Sequence, residues 1–165
     1  MVLGDPEGSS LFSKIVHGVC YTTEQSERKL RRHRYDTIVE GIGLDRVTAN
    51  LQSGLHLIDD AIRVTDQEAV DMAHVLRKME GLFVGSSSAL NCVAACKVAV
   101  SLPPNSRVAT VITDSGTRYM SRFWNAEYAT SHYRVQWPSS DEEAYERVMA
   151  SIHGKASASE PAILM

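Results

Sequence analysis

The stretch TDQEAVDMAHVLRKMEGLFVGSSS, residues 65–88, decides the fold class of this sequence. Thr65 and Glu68 have the spacing of a capping box, in which each side chain accepts a hydrogen bond from a backbone N–H at the start of a helix. Apolar residues then recur at helical spacing as far as Met79. Gly81 follows, and glycine at this point is typical of a helix end. The stretch therefore predicts an amphipathic helix.

Strand-like and helix-like segments alternate after this helix. Residues 82–84 are apolar and predict a short buried strand, and residues 108–113 are rich in branched side chains and predict another. A second helix is predicted from Ala89 to about Ser101, before two prolines. A third helix, which runs through Tyr119 and Phe123, is predicted after a turn at residues 114–116. Such alternation is typical of an α/β fold in which helices cover a mostly parallel sheet.

The two ends of the chain are less regular. Residues 1–3 resemble the stub of a strand, followed by a turn-rich loop, and an open apolar strand edge there predicts self-association. Residues 125–138 are aromatic-rich and predict irregular structure. Ser140 and Glu143 form a second capping box, which predicts a helix that continues to Gly154. The small-residue tail, residues 155–165, is expected to be frayed.

Composition excludes several classes of protein. The chain has 165 residues, 44% of them hydrophobic, a net charge of -3 and three cysteines. This length fits one domain, and the charge favours neither nucleic acid nor an anionic membrane. An odd cysteine count argues against a disulfide scaffold, and no apolar run approaches the roughly 20 residues that span a bilayer. We expect an intracellular, cytoplasmic protein by default.

Three side-chain clusters are weak candidates for chemistry. The basic residues within 24–36 lack interleaved aromatic side chains, which favours a solvated loop over a nucleic-acid patch. Cys92 and Cys96 lie four apart among small residues, which favours core packing over metal or redox work. The histidines show no zinc-binding spacing, so we predict no metal site.

Two loops at the carboxyl ends of predicted strands are better candidates, because ligands bind there in open α/β sheets. Gly85, Ser86, Ser87 and Ser88 open a helix and offer amides and hydroxyls to an anion, although ordinary serine capping explains the same pattern. Ser115 sits between Asp114 and Gly116 on a strand-to-helix turn, where its hydroxyl can reach a ring nitrogen or an anion. It lacks the elbow motif of a hydrolase nucleophile.

In order along the chain, several segments resemble the second half of fold-type-II pyridoxal-phosphate enzymes, the cysteine synthase and cystathionine β-synthase family. They cover most of residues 1–125. The similar segments are DPEGS at 5–9, EGIG at 40–43, VTDQEA at 64–69, EGLFVGSSSA at 80–89 and DSGTRY at 114–119. Ala89 and Leu90 stand where many members have glycine and alanine, and this departure resembles a fungal-type cysteine synthase subgroup.

The resemblance implies a partial three-layer αβα sheet of the tryptophan synthase β-like fold, with mostly parallel strands. Residues 1–125 would be the C-terminal portion of a cysteine synthase-like domain, and residues 126–154 an irregular segment and a helix. Ser115 would hydrogen-bond the pyridine nitrogen of pyridoxal 5′-phosphate. Gly41, Ile42 and Gly43 would lie close to the cofactor and substrate, and Gly85 and Ser86 would line the site more distantly.

The family's cofactor lysine motif, its phosphate loop and its substrate-carboxylate loop all precede the position that corresponds to Met1. We therefore expect a truncated chain that is inactive alone, with no catalytic residue of its own. The implied function is β-replacement on an amino acid in cysteine biosynthesis, with a complementing N-terminal half or a homo-oligomer as partner. The alternative is a non-catalytic interaction module that binds a full-length homologue or serine acetyltransferase. A longer form could associate with mitochondria.

Overall fold

The computed structural model describes residues 1–22 and 37–154. The basic cluster within 24–36 and the predicted frayed tail, residues 155–165, lie outside these described residues. The described part contains two strands, six α-helices and two short 3-10 turns. In chain order these are β1 Val2–Pro6, α1 Leu11–His17, α2 Ala49–Gly54, the turn Leu55–Leu57, β2 Asp60–Val64, α3 Asp66–Met79, α4 Ser86–Ala99, the turn Gly116–Tyr119, α5 Ala126–Tyr133 and α6 Asp141–Gly154.

Strands β1 and β2 form a parallel pair, in register from Val2 opposite Asp60 to Pro6 opposite Val64. On one face Gly4 lies against α4, because a Cβ placed there would come within 3.2 Å of the Leu90 side chain. On the other face the Arg63 guanidinium lies 4.6 Å from the Phe12 ring centroid of α1. Neighbouring residues of a strand point to opposite faces. Helices therefore cover both faces, as the predicted αβα layering requires.

Helix α3 begins as the capping box predicts. The Glu68 N–H donates to Thr65 Oγ1 at 3.2 Å, and the Thr65 N–H donates to Glu68 Oε2 at 2.8 Å. After the helix, Gly81 has a φ of +66°, and the Leu82 N–H donates to the Leu76 carbonyl at 3.0 Å. The left-handed glycine and this backward hydrogen bond end the helix.

The core lies where α3, α4 and α6 pack together and against β2. Its buried apolar residues include Val64, Ala69, Val70, Met72, Ala73, Leu90, Val93, Phe123, Val148 and Ile152. One buried ion pair ties the layers together, because Lys97 Nζ of α4 lies 2.6 Å from Glu68 Oε1 of α3. The Ser151 hydroxyl of α6 donates to the same carboxylate oxygen. No helix in the described part of the chain is long and apolar enough to cross a membrane.

The two strands predicted after α3 do not form ladders. Of residues 82–84 only Val84 makes a bridge, antiparallel to Ser115. Residues 108–113 lie outside every strand of the described part, although they carry the branched side chains of a strand. A strand exists only through hydrogen bonds to a neighbour, and the described residues supply residues 108–113 with no ladder partner.

Several helix predictions also need correction. Helix α4 begins at Ser86 and ends at Ala99, and the predicted third helix is only the 3-10 turn Gly116–Tyr119. Residues 125–138, predicted to be irregular, contain helix α5. Asn125 caps this helix, because its side chain accepts a hydrogen bond from the Tyr128 N–H at 2.9 Å.

The second capping box is half formed. The Glu143 N–H donates to Ser140 Oγ at 3.2 Å, but the Glu143 carboxylate accepts from the Ser139 N–H at 2.7 Å instead of from Ser140. The helix it begins is nevertheless present as α6. Helices α1 and α2 and strand β2 were not predicted from the sequence, because each is short and carries a weak periodic signal.

Candidate functional site

Ser115 sits at the start of the 3-10 turn Gly116–Tyr119 and is exposed. Its Oγ accepts one hydrogen bond from the Thr117 N–H at 3.3 Å and one from Thr117 Oγ1 at 3.1 Å. A serine hydroxyl has one proton to donate and two lone pairs to accept with. Because both contacts use the lone pairs, the hydroxyl proton of Ser115 remains available to an acceptor outside the turn.

A two-residue bridge joins the two loops singled out in the sequence. The Gly85 N–H donates to the Asp114 carbonyl at 3.0 Å, and the Gly116 N–H donates to the Phe83 carbonyl at 3.0 Å. These bonds flank the antiparallel pair Val84 and Ser115. The start of α4 and the Ser115 turn therefore lie side by side, joined by this isolated bridge and not by a sheet edge.

The glycine turn, residues 40–43, joins the same region through Ser86. The Glu40 N–H donates to Ser86 Oγ at 3.1 Å, and Ser86 is completely buried. Gly41 and Gly43 have φ values of +84° and +89°, which glycine adopts without strain. A Cβ on Gly41 would meet nothing within 4 Å, whereas one on Gly43 would lie 3.2 Å from Pro6 Cγ. Gly41 therefore presents bare backbone to open space.

The loop of residues 5–10 holds the other end of this turn. The Ser9 and Ser10 hydroxyls each donate to the Leu44 carbonyl at 3.1 Å, and the Leu44 N–H donates to Ser9 Oγ at 3.1 Å. Asp5 fixes the loop, because its buried carboxyl accepts from the Phe12 N–H at 2.8 Å. Burial raises the pKa of Asp5 above its ordinary value, and its hydrogen bonds to Ser9 and Phe12 oppose that rise.

The serines that open α4 use their hydroxyls inside the protein. Ser87 Oγ and Ser88 Oγ lie 2.8 and 2.9 Å from Thr113 Oγ1, and the Thr113 N–H donates to Ser88 Oγ at 2.9 Å. Gly85 is the N-cap and makes no side-chain hydrogen bond. The serine run therefore anchors the chain at Thr113, next to the Ser115 turn. Sequence reasoning placed Thr113 in the same segment as Ser115 but did not predict its hydrogen bonds to Ser87 and Ser88.

All six residues predicted for the site thus lie in one continuous region, which holds Ser115, Gly41, Ile42, Gly43, Gly85 and Ser86. They differ in access, since Ser115 is exposed, Ile42 is half-buried against the core and Ser86 is buried. Their roles toward a ligand stay predictions. The described residues contain no group of three or more His, Cys, Asp or Glu side chains suited to hold a metal ion.

A pocket of about 410 Å³ has none of the predicted site residues in its lining. Trp124 lines this pocket and also contacts the bridge beside Ser115, since its indole N–H donates to the Val84 carbonyl at 3.0 Å. His74 and Arg77 also line the pocket, and burial lowers the pKa of His74 below its ordinary value. No sequence pattern indicates this pocket, because its walls come from segments far apart in the chain.

Comparisons with known proteins place this region in context. The sequence profile of the family described as "Pyridoxal-phosphate dependent enzyme" matches residues 1–114. Cysteine synthase 2 of Neurospora crassa is 54% identical over 124 residues, which are 75% of this chain and 27% of that protein. Cysteine synthase 2 of Emericella nidulans is 51% identical over 124 residues, 75% of this chain and 29% of that protein.

Among solved structures, the O-acetylserine dependent cystathionine beta-synthase of Helicobacter pylori is similar, with a TM-score of 0.54 and 32% sequence identity. The similarity covers 73% of this chain and 32% of that one. The chain thus spans roughly a third or less of the length of the relatives it matches.

Proposed function

Because this chain belongs to the family of pyridoxal-phosphate dependent enzymes, we propose that Ser115 and the glycine turn of Gly41, Ile42 and Gly43 form its share of a pyridoxal 5′-phosphate site. The predicted relationship to fungal-type cysteine synthases is confirmed by the identities to the Neurospora and Emericella proteins.

The residues present fit this role. The Ser115 hydroxyl is exposed, and the two hydrogen bonds that it accepts from Thr117 leave its proton available to an outside acceptor. The pyridine nitrogen of the cofactor offers one lone pair and needs one donor. Gly41 adds bare backbone in open space, which allows a planar ring to approach closely. Ser86 stabilises the turn, because its hydroxyl oxygen accepts a hydrogen bond from the Glu40 N–H.

Bound pyridoxal phosphate supplies an electron sink to the α-carbon of an amino acid. The contribution of Ser115 is to donate a neutral hydrogen bond that leaves the ring nitrogen unprotonated, so the sink is moderate. A moderate sink suits elimination and replacement at the β-carbon. The glycine turn orients the ring, and the Ser9, Ser10 and Ser86 contacts keep that turn in place.

The reaction we propose is cysteine synthase-type β-replacement on an activated serine, with sulfide as the acceptor. The names and identities of the Neurospora and Emericella relatives support it. We propose that the cofactor lysine lies outside the described residues, because none of the described lysines, Lys14, Lys78 and Lys97, stands in the family's lysine motif. Lys97 is buried and paired with Glu68, and Lys14 donates to the Gly18 carbonyl at 2.9 Å. Another polypeptide or a further segment would therefore complete the site.

The exposed Ser115 hydroxyl carries this proposal, and a binding experiment tests it. Pyridoxine 5′-phosphate has the cofactor's ring without the aldehyde, so it cannot bond covalently to lysines. We expect it to shift the amide NMR signals of Ser115, Gly116 and Gly41, and we expect Ser115→Ala to weaken binding about tenfold, the loss of one hydrogen bond of roughly 1.4 kcal/mol. Thr130→Ala is the control, since this exposed threonine lies on α5. Unchanged signals at Ser115 would contradict the proposal.

The reaction needs a separate test. Co-expression with the N-terminal two-thirds of the Neurospora relative should yield cysteine from O-acetylserine and sulfide, and Ser115→Ala should reduce that rate. Equal rates for the wild-type and the Ser115→Ala chains would contradict the assignment of this serine.

A second candidate function is that of an interaction module, and one observation favours it. Residues 106–114 run outside the strands of the described part, and within them Val111 is 66% and Ile112 45% exposed. Such a segment offers backbone that belongs to no ladder, together with apolar side chains, to another strand. A full-length homologue or serine acetyltransferase would be its partner. The cytoplasm remains the predicted compartment.

A further inference from the structure

Asp114 directly precedes Ser115, but its carboxyl group makes no hydrogen bond to the serine hydroxyl. Oδ2 instead accepts the Tyr119 phenol hydrogen at 2.6 Å. Oδ1 is buried and has no hydrogen-bond partner among the described residues. Leaving a carboxyl oxygen buried and unbonded costs free energy. Contacts with neighbouring residues must therefore hold the Asp114 side chain in this position.

Gly85 provides the space into which Asp114 folds. A Cβ built on Gly85 would lie 2.0 Å from Asp114 Oδ1 and 2.7 Å from Tyr119 Cε2. Real Cβ atoms do not approach other atoms so closely, so any larger residue would displace the carboxyl group, the phenol ring or both. The absence of a side chain at position 85 thus leaves the space that the Asp114 carboxyl group and the Tyr119 ring occupy.

Tyr119 closes the same space from the other side. Its hydrogen bond to Asp114 raises the pKa of the phenol above its ordinary value, and burial and the negative charges of Asp114 and Glu40 add to this rise. Arg118 acts in the opposite direction. The phenol therefore keeps its proton and remains a donor to Asp114 at any ordinary pH.

The chemistry of a pyridine ring gives this arrangement a consequence. A carboxylate beside a ring nitrogen favours the protonated, positively charged ring, because opposite charges attract. A neutral hydroxyl group beside the ring nitrogen does not favour the protonated ring. An aspartate one residue from Ser115 could compete for the ring nitrogen if its side chain were released.

We propose that Tyr119 and Gly85 are positioning residues that hold the Asp114 carboxyl group away from the ring nitrogen, so that Ser115 alone meets it. The inference rests on the proposed function of Ser115 and adds a determinant of reaction type. The protonation state of the bound ring is set by where Asp114 is kept, as well as by the presence of a serine.

Two variants test the inference in the full chain, Tyr119→Phe and Gly85→Ala, with pyridoxine 5′-phosphate as the probe. The ring nitrogen's pKa is read from the ultraviolet spectrum of the bound probe as the pH is varied. We expect each variant to raise this pKa by about one unit or more, a tenfold gain in proton affinity. Tyr145→Phe removes a half-exposed phenol on α6 and should leave it unchanged.

The double variant Tyr119→Phe with Asp114→Asn separates positioning from simple loss of structure. It lacks the released carboxyl group, so the ring pKa should return to the wild-type value. A ring pKa that does not change in Tyr119→Phe, or that stays raised in the double variant, overturns the inference.

A second readout needs no ligand. The carboxyl ¹³C signal of Asp114 should shift in Tyr119→Phe, because its hydrogen bond is gone, and an unshifted signal also overturns the inference. Failure of the wild-type chain to bind the probe overturns the proposed function and this inference with it. The carboxyl signal then still shows whether Tyr119 holds Asp114, so the two failures can be told apart.

Discussion

At the scale of single residues, the site depends on close approaches that only small residues allow. Gly116 is the clearest case after Gly85. A Cβ there would lie 2.5 Å from Trp124 Nε1 and 2.8 Å from the Val84 carbonyl oxygen. These two atoms are joined by a hydrogen bond of 3.0 Å. Gly116 therefore admits the indole that closes the back of the Ser115 turn.

Gly116→Ala should destabilise the fold by about 1–3 kcal/mol, because the new methyl group forces the indole away from its carbonyl partner. Urea unfolding followed by tryptophan fluorescence measures this free energy. Gly54→Ala is the matched control, since a Cβ there would meet nothing within 4 Å. A Gly116→Ala chain as stable as the wild type would contradict this account of the turn.

At the scale of elements, α6 docks on α3 through apolar side chains and a buried polar group. Asp71 of α3 is 1% exposed, and it accepts two hydrogen bonds of 3.0 Å from Gln67. Burial raises the pKa of Asp71 to about 6, while Gln67 and the Arg147 guanidinium of α6 act to lower it. The helix contact is therefore sensitive to pH.

The pH dependence has a definite sign. An unfolded aspartate loses its proton near pH 3.8, whereas the folded chain keeps it to about pH 6. The folded state thus binds more protons between these values, and the stability contributed by Asp71 falls as the pH rises through this window. Relative to Asp71→Asn, the wild-type free energy of unfolding should fall on the order of 3 kcal/mol from pH 4 to pH 7.

Asp141→Asn is the control with the opposite sign. The Arg77 hydrogen bond lowers the pKa of Asp141, so the stability that it contributes is present above the unfolded pKa and is lost as the pH falls through the folded value. Denaturant unfolding at several pH values measures both differences. A pH-independent difference between the wild type and Asp71→Asn would refute the buried-carboxyl explanation.

At the scale of the whole molecule, the sheet of the described part is small and leaves a strand-like segment unpaired. Among the described residues only β1 and β2 form a ladder, and residues 106–114 belong to none. Exposed Val111 and Ile112 lie on that segment. Unpaired apolar strands promote association with other strands. We therefore expect this chain to self-associate through this segment, in addition to the open strand edge that the sequence predicts at residues 1–3.

Val111→Lys should weaken self-association by about tenfold or more in dissociation constant, because an edge lysine opposes strand-to-strand pairing. Val16→Lys is the matched control, since Val16 is 43% exposed on α1, away from this segment. Analytical ultracentrifugation over a range of concentrations measures the change. A strictly monomeric wild-type chain would count against the predicted association.

Local signals let the sequence determine part of this protein. The capping box at Thr65 and Glu68 and the glycine after α3 act within a few residues, so their pattern predicted the helix and both its ends. The order of motifs likewise pointed to the family and to Ser115.

Tertiary structure decided the rest, because it depends on contacts between distant residues. Residues 108–113 have the composition of a strand, yet a ladder needs a partner that composition cannot supply. The position of Asp114 over Gly85 depends on two loops that are far apart in sequence. Local sequence preference sets where a helix begins. The position of the Asp114 carboxyl group, by contrast, is set by packing between residues that are distant in the sequence.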